Sequence, residues 1–233
     1  MNAKKTDLKE LEGWYEKSGN QLMLLYGGMD CRKEQLIKEF CVGKKYFYYR
    51  CRQLSAQEQM QKMGEEIQNA FQMKLSRYSY DEFFNRVKSG DASKLVIVID
   101  EAQYAIKRDP EFVKSILKLK LKRLYPGPVM IILASSSIVW ATQDAKDAFG
   151  DGFRRIDVLH KVEDLNFLEV VRTFPGNSDL RLYPYLWNHR WGAGIYGSME
   201  SGNFIQGEYL PACADGGGIS VSYGRTENFG RTA

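Results

Sequence analysis

With 233 residues, 44% of them apolar, the chain can bury a core of domain size, and 27% charged residues with a formal net charge of +4 set it apart from disordered and from strongly acidic or basic compositions. No apolar run approaches the roughly 18 to 20 residues of a membrane-spanning helix, and the polar start MNAKKTDLKELEGWYEK lacks a hydrophobic signal core, so no membrane partner is expected and a cytoplasmic setting is. The four cysteines, Cys31, Cys41, Cys51 and Cys213, show no C-x-x-C spacing and accompany only two histidines, which argues against a zinc site or a disulfide framework.

Residues 7–18 carry Leu8, Leu11, Trp14 and Tyr15 on one side of a helical wheel, which predicts an amphipathic helix. QLMLLYG, residues 21–27, is the short continuous apolar run expected of a buried parallel strand. Helical spacing resumes from Lys33 to Val42, with Leu36, Ile37 and Phe40 inward. KYFYYRC, 45–51, is aromatic-rich and strand-like. Ser55 with Glu58 forms a capping box that opens a helix to Phe71, and Ser79 with Glu82 opens another. KLVIVIDE, 94–101, is the clearest buried strand in the chain. Asp109-Pro110-Glu111 starts a further helix with Pro at its first position. Past Pro126-Gly127-Pro128, VMIILASSS reads as a third buried strand that ends in serines. Solid apolar strands alternating with helices predict an α/β fold, a parallel sheet with helices on both faces.

The composition changes near residue 177. All 19 lysines lie in residues 1–176, whereas the last 57 residues hold no lysine and 10 of the 21 glycines. Two parts are therefore expected, a folded α/β domain over 1–176 and an irregular, poorly ordered Gly-rich tail over 177–233.

The stretch with chemistry in it is LLYGGMDCRKEQLIKEF. A phosphate-binding loop requires G-x-x-x-x-G-K-[ST] between a strand and a helix, so that backbone N–H groups wrap the phosphates, the Lys neutralises them and the hydroxyl holds Mg2+. The frame here is Gly27-Gly28-Met29-Asp30-Cys31-Arg32-Lys33-Glu34. The first Gly and the Lys are in place; Arg32 stands where the second Gly belongs and Glu34 where the hydroxyl belongs. Asp100-Glu101, closing an apolar strand, supplies the two carboxylates that such enzymes place on the metal and beside the attacking water. Ser135-Ser136-Ser137 offers hydroxyls at the end of another strand.

Residues 7–176 resemble the prokaryotic AAA-type P-loop ATPases called the archaeal ATPase family, relatives of the signal-transduction ATPases. The resemblance rests on LKELEGWYE, LLYGGMDCRKEQLIKEF, LVIVIDEAQYA, VMIILASSS and RRIDVLHKVEDLNFLEVV. It implies ATP and Mg2+ as ligands, held by residues Gly27 to Gln35. Lys33 would lie on the phosphates, Asp100 on the metal with Glu34 as a second candidate ligand, and Glu101 as general base. Ser135 or Ser136 would sense the γ-phosphate. The two departures, Arg32 and Glu34, lead to the expectation of weakened or absent hydrolysis in a nucleotide-dependent switch. A scaffold with no turnover and a nucleic-acid-associated protein are the alternatives, with a homo-oligomer or protein partner left open.

Three further readings stay open at this stage. Lys114, Lys118, Lys120, Lys122 and Arg123 form either a solvated helix face or a nucleic-acid contact. Arg154 and Arg155 are candidates to reach a neighbouring nucleotide, and Cys31 is a candidate redox-sensitive thiol in the loop. In the tail, reading each codon's last two bases with the next codon's first turns Trp187-Asn188 into Gly, Trp191-Gly192 into Gly and Met199-Glu200 into Trp. That is the register of the IYGIxGGVPxYL segment with which the family continues, so a one-base shift between about Gly176 and Tyr183 is inferred.

Overall fold

The computed structural model describes residues 5–28, 31–87, 93–122 and 127–163. The tail over 177–233, its inferred shift of frame, and the family-like stretch beyond Glu163 lie outside the described residues.

Among the described residues five parallel strands make one sheet: β1 (Gln21–Tyr26), β2 (Tyr46–Arg50), β3 (Leu95–Asp100), β4 (Val129–Ser135) and β5 (Val158–Lys161), in the order β2-β3-β4-β1-β5. Helices α1 (Lys5–Glu16), α2 (Lys33–Cys41), α3 (Ala56–Phe71), α4 (Tyr80–Arg86), α5 (Gln103–Arg108) and α6 (Pro110–Leu121) join or precede the strands. A π-type turn (Trp140–Asp144), the short α7 (Ala145–Phe149) and a 3-10 turn (Gly150–Arg155) lead from β4 to β5.

Successive strand side chains point to opposite faces, and both faces are buried. Leu22, Leu24, Phe47, Tyr49, Ile97, Ile99, Ile131 and Leu133 pack with residues of α3, α4, α5 and α6. Met23, Leu25, Val96, Val98, Met130, Ile132 and Ala134 pack with Leu11 of α1 and with Leu36, Ile37, Phe40 and Cys41 of α2. This double burial is why β1, β3 and β4 read as continuous apolar runs rather than as alternating ones.

The expected elements are present, with ends displaced by one or two residues. Helix α1 stops at Glu16, ahead of Gly19, whose φ of 75° leaves the helical region. The capping box of α3 is formed, Ser55 Oγ accepting from the Glu58 N–H at 3.3 Å and Glu58 Oε2 accepting from the Ser55 N–H at 3.0 Å. Helix α5 and the helical turns between β4 and β5 carry no sequence pattern long enough to announce them. At six residues, α5 spans fewer than two turns and has no side-chain cap.

The topology fixes where the chemistry gathers. In a parallel sheet every strand's C-terminal end lies at one edge. Here the chain leaves β1 toward β2 on one side and leaves β4 toward β5 on the other. A crevice opens where neighbouring strands part in this way. Gly27-Gly28, Arg50, Asp100-Glu101 and Ser135-Ser136 all sit at that edge.

Candidate phosphate-binding site

The loop after β1 is shaped by close approach. A Cβ on Gly27 would lie 2.5 Å from Cys31 Sγ and 2.5 Å from the Val162 carbonyl oxygen, so only glycine fits. The Gly27 N–H donates to the Ser135 carbonyl at 3.3 Å, tying the loop to β4. Met29 and Asp30 lie outside the described residues, and Cys31 is buried under the loop.

Arg32, the N-cap of α2, adopts φ 63° and ψ 29°, the left-handed conformation, and its side chain makes no capping bond. Glycine takes this conformation freely, and any L-residue at a cost of about 1–2 kcal/mol. The loop thus keeps a backbone that suits glycine in spite of the substitution.

Lys33 is the first residue of α2 and is buried. Its ammonium donates to the Gly27 and Gly28 carbonyls at 2.9 Å each and lies 3.6 Å from Cys31 Sγ. The charge thus sits inside the concavity of its own loop. Gln35, by contrast, turns along the helix and donates to Glu39 Oε1 at 2.8 Å.

Across the crevice, Asp100 is buried and each of its oxygens is engaged. Oδ1 accepts from the Glu101 N–H at 3.0 Å, and Oδ2 accepts from the Tyr48 hydroxyl at 2.7 Å with Arg50 Nε 3.6 Å away. Burial pushes the Asp100 carboxyl above its ordinary range; the Tyr48 hydrogen bond opposes this, as does Arg50. Burial and the adjoining Asp100 likewise push the Tyr48 hydroxyl up, so it stays protonated and remains a donor. Glu34 points to two cations, with Oε1 2.7 Å from Lys38 Nζ and Oε2 4.0 Å from Arg50 Nη1. The Lys38 hydrogen bond holds its carboxyl below the usual range.

Glu101 has φ 51°, a strained value for a residue with a side chain. Its Oε2 accepts from Ser136 Oγ at 2.7 Å, from the Ser136 N–H at 3.3 Å and from Gln103 Nε2 at 2.6 Å. Of the two candidate sensors, Ser136 therefore touches the carboxylate. Ser135 turns to its own chain, its Oγ accepting from the Ser137 N–H at 3.1 Å. Arg154 and Arg155 are exposed on the 3-10 turn and make none of these contacts.

Sequence reasoning missed Tyr48, Arg50 and Gln103. The first two lie two residues apart on β2, hence on one face, and β2 pairs with β3 so that Arg50 stands opposite Asp100. The alternation within KYFYYRC carried the face, and strand adjacency was what it could not carry.

Tested as a magnesium site, the donor set does not fit. Mg2+ demands near-octahedral oxygen ligands at about 2.0–2.1 Å. The short hydroxyl at position 34 is replaced by a carboxylate paired with Lys38, and the Arg50 guanidinium stands 3.6 Å from Asp100 Oδ2 and 4.0 Å from Glu34 Oε2, so like charge opposes a metal there.

The sequence matches, over residues 4–178, the model of a family described as an ATPase domain predominantly from Archaea. No curated protein matches the chain. Among solved structures it is similar to the Aeropyrum pernix ORC1 protein in complex with DNA, at 16% identity and a TM-score of 0.56 over 82% of this chain and 56% of that one. It is similar also to a Walker-type ATPase of Pyrococcus abyssi, at 17% identity and a TM-score of 0.51 over 80% and 59% of the two chains. The Aeropyrum pernix ORC2 protein in ADPNP-ADP complexes gives 11% identity and a TM-score of 0.57 over 74% and 50%. The chain spans between 50% and 59% of the length of these three proteins, and at such identities the likeness is one of fold.

Proposed function

Since the chain belongs to the family of ATPase domains predominantly from Archaea, we propose that it is an ATP-binding switch in which Lys33 takes the phosphates and turnover is slow or absent. The coarser statement, a nucleotide-binding P-loop domain, follows from the family itself. The finer one is carried by the Lys33 ammonium, held 2.9 Å from two loop carbonyls. Those carbonyls are neutral acceptors, and a phosphate oxygen is a stronger, charge-assisted partner for the same cation. On binding, Lys33 would exchange one set of partners for the other. The Gly27 and Gly28 carbonyls would be released, and the start of α2 with them, which is the local event a switch needs.

Slow turnover follows from two side chains. Glu34 adds a negative charge beside a polyphosphate where a neutral hydroxyl is expected. Glu101, the candidate general base, has its Oε2 committed to three donors from Ser136 and Gln103, so orienting a water would require it to give some of them up. The scaffold reading shares these observations and parts from ours only on binding.

A nucleic-acid role through α6 is not adopted. Lys118 pairs with Asp81 at 2.7 Å, Lys114 with Glu111 at 2.5 Å and Lys120 with Asp157, so the helix's charge is largely matched. Arg123 lies outside the described residues.

The test is calorimetric titration of the full chain with ATP, alongside Lys33→Ala. Micromolar binding is expected, weakened at least about tenfold in the variant, because a hydrogen bond to a charged group contributes about 1.5–3 kcal/mol. Folded protein that ignores millimolar ATP would leave the scaffold reading in its place.

A further inference from the structure

We infer that the Arg50 guanidinium is the site's built-in cation, standing where a divalent metal would be required, so that nucleotide is held without Mg2+. The nucleotide half rests on the ATP-binding reading above; the exclusion of metal does not.

Two carboxylates face the crevice at positions where one carboxylate and a hydroxyl would serve a metal. They are Asp100 at the end of β3 and Glu34 in the first turn of α2. The guanidinium spans them, with Nε 3.6 Å from Asp100 Oδ2 and Nη1 4.0 Å from Glu34 Oε2. Lys38 neutralises the other Glu34 oxygen at 2.7 Å. Two acids are thus matched by two bases without an ion.

The placement is built into the backbone. β2 and β3 pair with Arg50 opposite Asp100, and the next residue's N–H, that of Cys51, donates to the Asp100 carbonyl at 2.8 Å. Tyr48, on the same face as Arg50, donates to Asp100 Oδ2 at 2.7 Å and holds that carboxylate in the orientation that meets the guanidinium. A metal on Asp100 Oδ2 would share that oxygen with the Tyr48 hydroxyl and lie beside the like charge of Arg50, which repels it. Arg50 is also reachable by a ligand, with 51% of its side chain exposed. A guanidinium has five N–H donors in a planar fork suited to phosphate oxygens, and the two contacts described leave several of them for a ligand.

The experiment uses the full chain, wild type and Arg50→Gln, with Arg50→Lys as a variant that keeps the charge; circular dichroism establishes that each is folded. Manganese, a paramagnetic probe for magnesium sites, is titrated without nucleotide and followed by electron paramagnetic resonance. ATP is titrated by calorimetry in excess Mg2+ and in excess EDTA. Wild type and Arg50→Lys are expected to leave manganese free at millimolar concentration. Arg50→Gln, which removes the cation between the two carboxylates, is expected to bind it at least about tenfold more tightly. Wild-type ATP affinity is expected to change less than about threefold on removing Mg2+.

ATP binding that needs Mg2+, or wild type taking up manganese as well as Arg50→Gln does, overturns the inference. If no protein binds ATP in either buffer, the ATP-binding reading falls, and the manganese comparison alone decides for or against Arg50 as the site's cation. Should Arg50→Gln fail to fold, the wild-type titrations with and without Mg2+ decide it.

Discussion

At Arg32 the chain holds φ 63° with a side chain that makes no capping bond. An L-residue in the left-handed region costs about 1–2 kcal/mol, and glycine gives back about 0.5–1 kcal/mol of this through unfolded-state entropy. Arg32→Gly is therefore expected to stabilise the protein by about 0.5–1 kcal/mol. For a domain of this size that raises the Tm by about 1–4 °C, as a thermal melt would read. An unchanged or lower Tm would mean that the arginine makes compensating contacts. Glu101 at φ 51° is strained in the same way, but its side chain is anchored by Ser136 and Gln103, so glycine there would remove the anchor along with the strain.

At the scale of elements, one side chain links three of them. Asn20 Nδ2 donates to the Leu119 and Lys120 carbonyls at 3.2 Å each, closing the C-terminus of α6, and its Oδ1 accepts from the Val129 N–H at 3.0 Å, at the start of β4. Asn20 itself immediately precedes β1. These partners are partly buried, so removing the amide leaves them short of water as well as of protein. Asn20→Ala is expected to destabilise by about 2 kcal/mol and to lower the Tm by about 4–8 °C in calorimetry. A loss under 1 °C would show that water replaces the amide without cost.

Across the whole molecule, global stability should carry the imprint of Glu66 on α3. Burial pushes its carboxyl up to about 7, against the opposing pull of Arg52 and Lys62, and Oε2 is buried with no hydrogen-bond partner among the described residues. An exposed Glu in the unfolded chain titrates near 4.3. The native state therefore binds the proton more tightly, and stability falls as pH rises from about 4.5 to about 7, then levels. Glu66→Gln removes this slope. At pH 8 the variant is expected to be more stable by about 1 kcal/mol, discounted for the solvent that reaches a half-buried group, and at pH 4 the two should converge. Urea unfolding at both pH values measures the difference; parallel curves would show that Glu66 finds a counter-charge when ionised.

Elements whose physics is local could be read from the chain alone. Continuous apolar runs gave β1, β3 and β4, because a strand buried on both faces must be apolar throughout. Ser55 with Glu58 placed the start of α3, because a capping box closes within four residues. The loop position of Lys33 was legible because a strand, two glycines and a helix stand in fixed order around it. Tertiary structure decided what depends on which strands become neighbours. Only the β2–β3 pairing sets Arg50 opposite Asp100 and Tyr48 within 2.7 Å of it, and only the crossing from β3 to β4 sets Ser136 against Glu101. These contacts join residues 35 to 52 positions apart, and no local pattern encodes them, because strand order is settled by packing both sheet faces at once.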